Sequence, residues 1–194
     1  MENDSQRNII ILTIVIIGLL FTFAYYSNNR VEVIDDISTY NGFEFYEENG
    51  LWITNIKAKG DVYEVSLHYH PKDVENITTS KIKELYFLDK TAFISIDPEM
   101  EQQAYIGVAG SELGANLFRV MNTKIFASCT KNSSVCEGRY IVDCNNTKLP
   151  VIKFEVSNET KVVQEDNCIT IYGHNETLIQ ATDKLLFELY GIVK

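Results

Sequence analysis

The chain has 194 residues, of which 45% are hydrophobic and 23% charged, and its formal net charge is −10. This composition is typical of a folded globular protein and excludes wholesale disorder, and the length leaves room for one domain and a tether. No run of Lys and Arg supplies the basic stripe that contacts a phosphate backbone, so we do not expect nucleic acid as a partner.

An apolar segment at residues 9–26 predicts one transmembrane helix. It carries no charged residue over its 18 positions, and at about 1.5 Å per residue it reaches roughly 27 Å, close to the thickness of a bilayer core. A cleaved signal peptide is the alternative, because Thr22 and Ala24 suit the small-residue positions before a cut. We expect residues 1–8 to form a short cytoplasmic tail, residues 9–26 the anchor in membrane lipid, residues 27–39 a stalk and residues 40–194 an extracytoplasmic α/β domain.

Cysteines and glycosylation motifs indicate a single-pass cell-membrane protein whose C-terminal domain lies outside the cytoplasm. An even number of cysteines suits an oxidising compartment, and no pair has the Cys-x-x-Cys spacing of a zinc or redox site. Four cysteines allow three pairings, of which we favour Cys129 with Cys136 and Cys144 with Cys168. Five Asn-x-Ser/Thr motifs follow the apolar segment, at Asn76, Asn132, Asn145, Asn158 and Asn175.

Alternating patterns then predict an antiparallel meander. Residues 43–46, 51–56 and 62–70 alternate between apolar and polar side chains, with turn signals at Asn49-Gly50 and at residues 59–61. Pro71 ends the third strand. A short helix capped by Ser80 is expected to run to residue 86.

The middle of the chain predicts a strand–helix–strand unit. Residues 91–96 form a β-branched, apolar strand, residues 104–109 make a second apolar run taken as a strand, and a helical pattern follows up to Met121. Residues 124–128 then resemble another strand. This order favours a parallel strand pair joined by a helical crossover.

The last part of the chain predicts three strands and a helix. The strands lie at residues 151–156, 161–164 and 168–172, and the helix runs from about residue 176 to 190. Thr177 and Gln180 have the spacing of a capping box. The predicted fold class is α+β or α/β, a mixed β-sheet packed with two or three helices and preceded by one transmembrane helix.

Short motifs in the last quarter resemble a group of small archaeal proteins with a single membrane anchor. The apolar N-terminal segment is similar as well. These motifs mark strands, a cysteine and a helix, so the resemblance implies a cell-surface setting and no particular activity. They are Pro150-Val-Ile152, Asn158-Glu-Thr160, Asn167-Cys-Ile169, Leu178-Ile-Gln-Ala-Thr-Asp183 and Leu189-Tyr-Gly-Ile192.

Two groups of side chains could bind metal. His68 and His70 lie two residues apart on a predicted strand, so both imidazoles would project from one face, but two ligands are not a site and a solvent-facing pair is the favoured interpretation. Asp97, Glu99 and Glu101 suit a hard cation, but they lack the glycine and spacing of an EF-hand loop. We expect a solvated acidic turn there.

A glycine-rich stretch at residues 107–114 lies between a predicted strand and helix, where backbone amides could bind an anion. It lacks the Walker lysine and the dinucleotide glycine spacing, so we expect no cofactor, and Ser111 is expected to cap the helix. No histidine has an evident carboxylate and nucleophile as partners, and no catalytic residue is predicted.

These observations favour a membrane-anchored, extracytoplasmic interaction module that binds other envelope proteins or glycans. The first alternative is an accessory or pilin-like subunit of a membrane assembly, although no basic cleavage motif precedes the apolar stretch. The second is an extracytoplasmic hydrolase. A pocket that brings His68, His70 or Ser111 together would favour the hydrolase.

Overall fold

The computed structural model describes residues 12–23, 25, 37–82, 87, 88 and 90–193. Residues 12–23 form helix α1 in a unit that ends at Asp35, and the second unit begins at Asp36. Among the described residues, no helix combines the length and the apolar character needed to cross a bilayer. Parts of three predicted segments lie outside the described residues. They are the whole predicted tail, residues 9–11, 24 and 26 of the predicted anchor, and residues 27–36 of the predicted stalk.

The second unit begins with an antiparallel sheet whose four strands follow in chain order. The predicted meander is therefore confirmed, with one additional strand that includes residues 37–39. Two-residue turns with positive φ at both positions join the strands, and this conformation matches the natural twist of a hairpin. The strands are β1 (Ile37–Tyr40), β2 (Phe43–Glu48), β3 (Leu51–Ala58) and β4 (Asp61–Leu67).

The third predicted strand is three residues too long, because a helix start competes with it. Strand β4 ends at Leu67, and the short helix α2 (Pro71–Val74) follows. His70 caps this helix by accepting the Lys72 N–H at Nδ1, 3.2 Å away, and Pro71 provides a first helical residue that needs no donor.

The second sheet has seven strands. The described residues thus form two sheets and not the single mixed sheet that was predicted, whereas the mixed α+β fold is confirmed. Its order is β5-β10-β11-β9-β6-β7-β8, and only the β10–β11 pair is antiparallel. The strands are β5 (Thr78–Thr79), β6 (Thr91–Ile96), β7 (Lys124–Cys129), β8 (Tyr140–Ile141), β9 (Val151–Val156), β10 (Lys161–Glu165) and β11 (Cys168–Gly173).

Helix α3 (Gln103–Met121) makes the predicted crossover between the parallel strands β6 and β7. The strand predicted at residues 104–109 is wrong: these residues are the first turns of α3. The buried residues Ile106, Ala109, Leu113, Leu117 and Val120 recur every three or four positions along the whole helix, which is the spacing of one helical face.

Two further helix predictions need correction. Residues 80–82 are not helical, and residues 83–86 lie outside the described residues. Helix α4 (Glu176–Leu189) begins as predicted, but its N-cap is Asn175 and not Thr177. The Thr177 hydroxyl instead accepts the backbone N–H of His174 at 2.7 Å.

Both sheets share one hydrophobic core. Phe45 of β2 packs edge-on against Phe187 of α4, with ring centroids 6.0 Å apart, and both side chains are fully buried. Burial of such a ring stabilises the fold by about 1.5–3 kcal/mol. Helix α3 contacts strands of both sheets, so it lies where they meet.

Side chains of α3 cover the free edge of β4. Arg119 Nη1 donates to the Glu64 carbonyl at 2.8 Å, and Asn116 Nδ2 donates to the Ser66 carbonyl at 3.4 Å. These bonds hold β4 beside α3 and fix the surface between them.

Candidate functional site

Four polar residues meet where α3, α4 and the segment after β4 come together, and we call them the polar cluster: His68, Glu112, Asn116 and Asp183. Asp183 is 0% exposed and Asn116 5% exposed. The Glu112 side chain is 7% exposed, whereas that of His68 is 37% exposed. Polar groups this deeply buried need partners, so their hydrogen bonds define the site.

Asp183 and Glu112 form a carboxyl pair. Burial raises the pKa of the Asp183 carboxyl well above its usual range, and the hydrogen bond to Glu112 and its charge add to this rise, against the lowering effect of the Tyr69 and His68 N–H groups. Asp183 Oδ1 and Glu112 Oε1 are buried, and neither has a hydrogen-bond donor among the described residues. A proton shared between the two carboxyl groups satisfies both oxygens.

Asp183 also holds the chain that leaves β4, because its Oδ2 accepts the Tyr69 N–H at 2.8 Å. The other oxygen of Glu112, Oε2, is hydrogen-bonded to His68 Nδ1. A carboxylate only accepts, so Nδ1 carries the hydrogen of this bond, and Nε2 is the ring nitrogen left for another partner. The buried pair thus fixes both the orientation and the tautomer of a half-exposed histidine.

His68 and Glu112 line a groove of about 320 Å³ between the end of β4 and α3. Leu51, Val108 and Ala115 give it apolar walls, and Arg119 lies further along α3. We call this the β4–α3 groove. Apolar walls with a few oriented polar groups are typical of binding sites.

Ser111 lines the same groove, so the structure brings it together with His68. It lies in the middle of α3, and the prediction that it caps a helix was wrong. Its hydroxyl donates to the Val108 carbonyl at 2.9 Å. The glycine-rich stretch at residues 107–114 likewise lies within α3, where backbone N–H groups are bound within the helix.

His70 does not face solvent, so the expected solvent-facing pair is wrong for this residue. It is 5% exposed and lies edge-on to Phe45 and Trp52, with ring centroids 5.2 and 4.7 Å away. Burial lowers the pKa of His70, and Lys72 adds to this effect while Asp73 opposes it. Across the described residues, no three His, Cys, Asp or Glu side chains are grouped so that they could hold a metal ion.

Two carboxylates of the acidic turn at residues 97–101 contact one lysine. Lys131 Nζ lies 3.1 Å from Asp97 Oδ1 and 2.6 Å from Glu99 Oε2. Partial burial raises the pKa of Asp97, but the Glu99 backbone N–H and the Lys131 ammonium outweigh it, so this pKa lies below its usual value. The expected solvated turn is thus bridged by a cation of the chain itself.

Both disulfides in the structure are the favoured pairings, Cys129–Cys136 and Cys144–Cys168. The second ties the loop after β8 to the first residue of β11, across 24 positions of sequence. Two disulfides fit an oxidising, extracytoplasmic compartment.

All five predicted glycosylation residues are exposed and lie in turns, bends or loops. None of them belongs to β1, β2, β3, β4 or α3, so the elements around the β4–α3 groove carry no acceptor motif.

Sequence reasoning missed three members of the polar cluster: Glu112, Asn116 and Asp183. A signal was present, because Asn116 interrupts the buried face of α3 and Asp183 that of α4. A polar residue in such a stripe requires a specific partner.

Comparison with protein families, with curated proteins and with solved structures found no match to this chain.

Proposed function

We propose that this protein is a membrane-anchored, extracytoplasmic interaction module that binds another envelope protein or a glycan through the β4–α3 groove. The observation that carries the proposal is a groove of about 320 Å³ whose apolar walls adjoin a histidine held in one orientation by buried carboxyl groups. An oriented polar group beside apolar surface gives a partner both affinity and specificity.

The anchor and its orientation are part of the proposal. Residues 9–26 are long enough for a bilayer span, and the two disulfides support placement of the folded unit outside the cytoplasm. Protease added to intact cells is expected to digest the domain, and alkylating reagents are expected to find no free thiol before reduction. A protected domain with four reactive thiols would contradict this topology.

The distribution of glycosylation motifs supports the choice of surface. Sugars on all five acceptor asparagines would extend from loops around the seven-stranded sheet and from the turn after α2. The surface between β4 and α3 would then remain open to a partner, while the sugars limit nonspecific contacts elsewhere.

Cross-linking on intact cells followed by affinity capture of the full-length protein tests the surface. Ala115 is exposed in the groove, so Ala115→Arg fills it with a charged side chain without disturbing the core. Val156, 40% exposed at the end of β9, provides the matched control Val156→Arg. We expect Ala115→Arg to abolish capture of the partner and Val156→Arg to preserve it. Equal capture by both variants would exclude the groove as the recognition surface.

A further inference from the structure

We propose that the β4–α3 groove also hydrolyses carboxylic esters whose acyl chain ends in an anionic group, with His68 as the general base. This activity goes beyond partner binding. Its elements are a base with a free nitrogen, a residue that orients the base, and a cation at the far end of the same groove.

His68 has the arrangement that a general base requires. Nδ1–H is donated to Glu112, so Nε2 is the proton acceptor, and a side chain that is 37% exposed lets water and substrate reach it. When Nε2 takes a proton, the imidazolium is already paired with the Glu112 carboxylate. Glu112 is thus a positioning residue, and Asp183 fixes Glu112 from behind through the shared proton.

The nucleophile is water and not the serine of the groove. The Ser111 hydroxyl donates to the Val108 carbonyl at 2.9 Å, so its proton points at the helix backbone. A water molecule bound at Nε2 has no such competing partner.

The reaction balances without a further reactant. His68 Nε2 accepts one proton from water as the water oxygen forms a bond to the ester carbonyl carbon. The tetrahedral adduct then breaks its bond to the alcohol oxygen, which takes the proton back from Nε2. The products are one carboxylic acid and one alcohol, and His68 returns to its neutral form.

Arg119 selects the substrate class. It follows Glu112 by seven residues on α3, which places it about 10 Å further along the groove. Among the described residues only its Nη1 has a partner, the Glu64 carbonyl, so other N–H donors of the guanidinium can bind a carboxylate. The apolar walls between the two ends suit a methylene chain.

The test is hydrolysis of two chromogenic esters by the full-length protein in detergent micelles. The mono-4-nitrophenyl ester of adipic acid carries the anionic end, and 4-nitrophenyl hexanoate has the same chain without it. We expect His68→Gln to lower kcat/KM by about 100-fold or more, the usual contribution of a general base. His174 is also exposed, and His174→Gln is the matched control, with unchanged rates.

Two further variants separate the roles. Glu112→Gln is expected to lower kcat at least tenfold with little change in KM, because its amide N–H turned towards Nδ1 stabilises the wrong tautomer, and Glu112→Asp should restore part of the rate. Arg119→Gln should raise KM for the adipate ester alone.

Equal rates for the wild type and His68→Gln would overturn the proposal, and a burst of one 4-nitrophenol per protein would overturn the role of water. Partner capture through the groove is measured separately, so it can succeed where hydrolysis fails.

Discussion

Replacing Asp183 with Asn should remove a pH dependence that the buried carboxyl pair imposes on stability. The asparagine oxygen can still accept the Tyr69 N–H, which lies 2.8 Å from Asp183 Oδ2 in the wild type. Its amide N–H can replace the proton shared with Glu112. The variant therefore keeps both hydrogen bonds and cannot ionise.

The sign follows from the direction of the pKa shift. Burial raises the pKa of Asp183 in the folded protein above its unfolded value, so the folded state retains a proton that the unfolded state has lost. Its stabilising contribution is complete below the unfolded pKa and declines as pH rises through the folded pKa. Because the folded state binds one more proton than the unfolded state in this window, the free energy of unfolding falls by about 1.4 kcal/mol per pH unit. A loss of this size for each pH unit is a substantial part of a typical domain stability, which is about 5–15 kcal/mol.

Urea unfolding of the full-length protein in detergent, measured between pH 4 and pH 8 by fluorescence of the single tryptophan, Trp52, provides the assay. In the difference in free energy of unfolding between the wild type and Asp183→Asn, the contributions of the other titrating groups cancel. We expect the free energy of unfolding of the variant, relative to that of the wild type, to increase steadily as pH rises. Asp61→Asn, at the exposed first residue of β4, is the control. A difference between wild type and Asp183→Asn that does not change with pH would refute the shared proton.

Four other variants have clear expected outcomes in the same urea assay. Gly107→Ala in α3 should stabilise the fold by about 0.5–1 kcal/mol, because an added Cβ meets nothing within 4 Å, and a lower midpoint would contradict this. Gly173→Ala should destabilise it by about 1–3 kcal/mol, since the new Cβ would lie 2.9 Å from the Leu178 nitrogen; an unchanged midpoint would show that α4 shifts freely. Removing the Cys144–Cys168 bridge with serines should cost about 3.5 kcal/mol, against about 2.5 kcal/mol for the shorter Cys129–Cys136 loop, and the reverse order would argue against loop entropy as the cause.

Strands with local signals could be predicted from the sequence. The Asn49-Gly50 turn favours one hairpin by its backbone preference, and the β-branched residues of the run at 91–96 favour a strand. The strand prediction for residues 104–109 was wrong because six apolar and small residues fit a strand as well as two turns of helix. Only the spacing that continues to Val120 decides between them.

The polar cluster depends on contacts that span the chain. His68 and Glu112 are 44 residues apart, and Tyr69 and Asp183 are 114 apart, so no local pattern relates them. His70 was misjudged for the same reason: aromatic residues of the four-stranded sheet enclose it, and their approach is set by the tertiary fold. What the sequence did carry was a polar residue in an otherwise buried helical stripe.

The side chains that cover β4 also bear on how the molecule avoids self-association. A strand edge with unpaired carbonyls is a template for a strand from another molecule, and Arg119 and Asn116 occupy two such carbonyls on β4. The edges of the larger sheet, β5 and β8, are two residues long each, too short to seed a growing ladder. Among the described residues, the longest open edges are therefore the four residues of β1 and residues 124–127 of β7, which β8 does not pair, and strand exchange between copies would begin there.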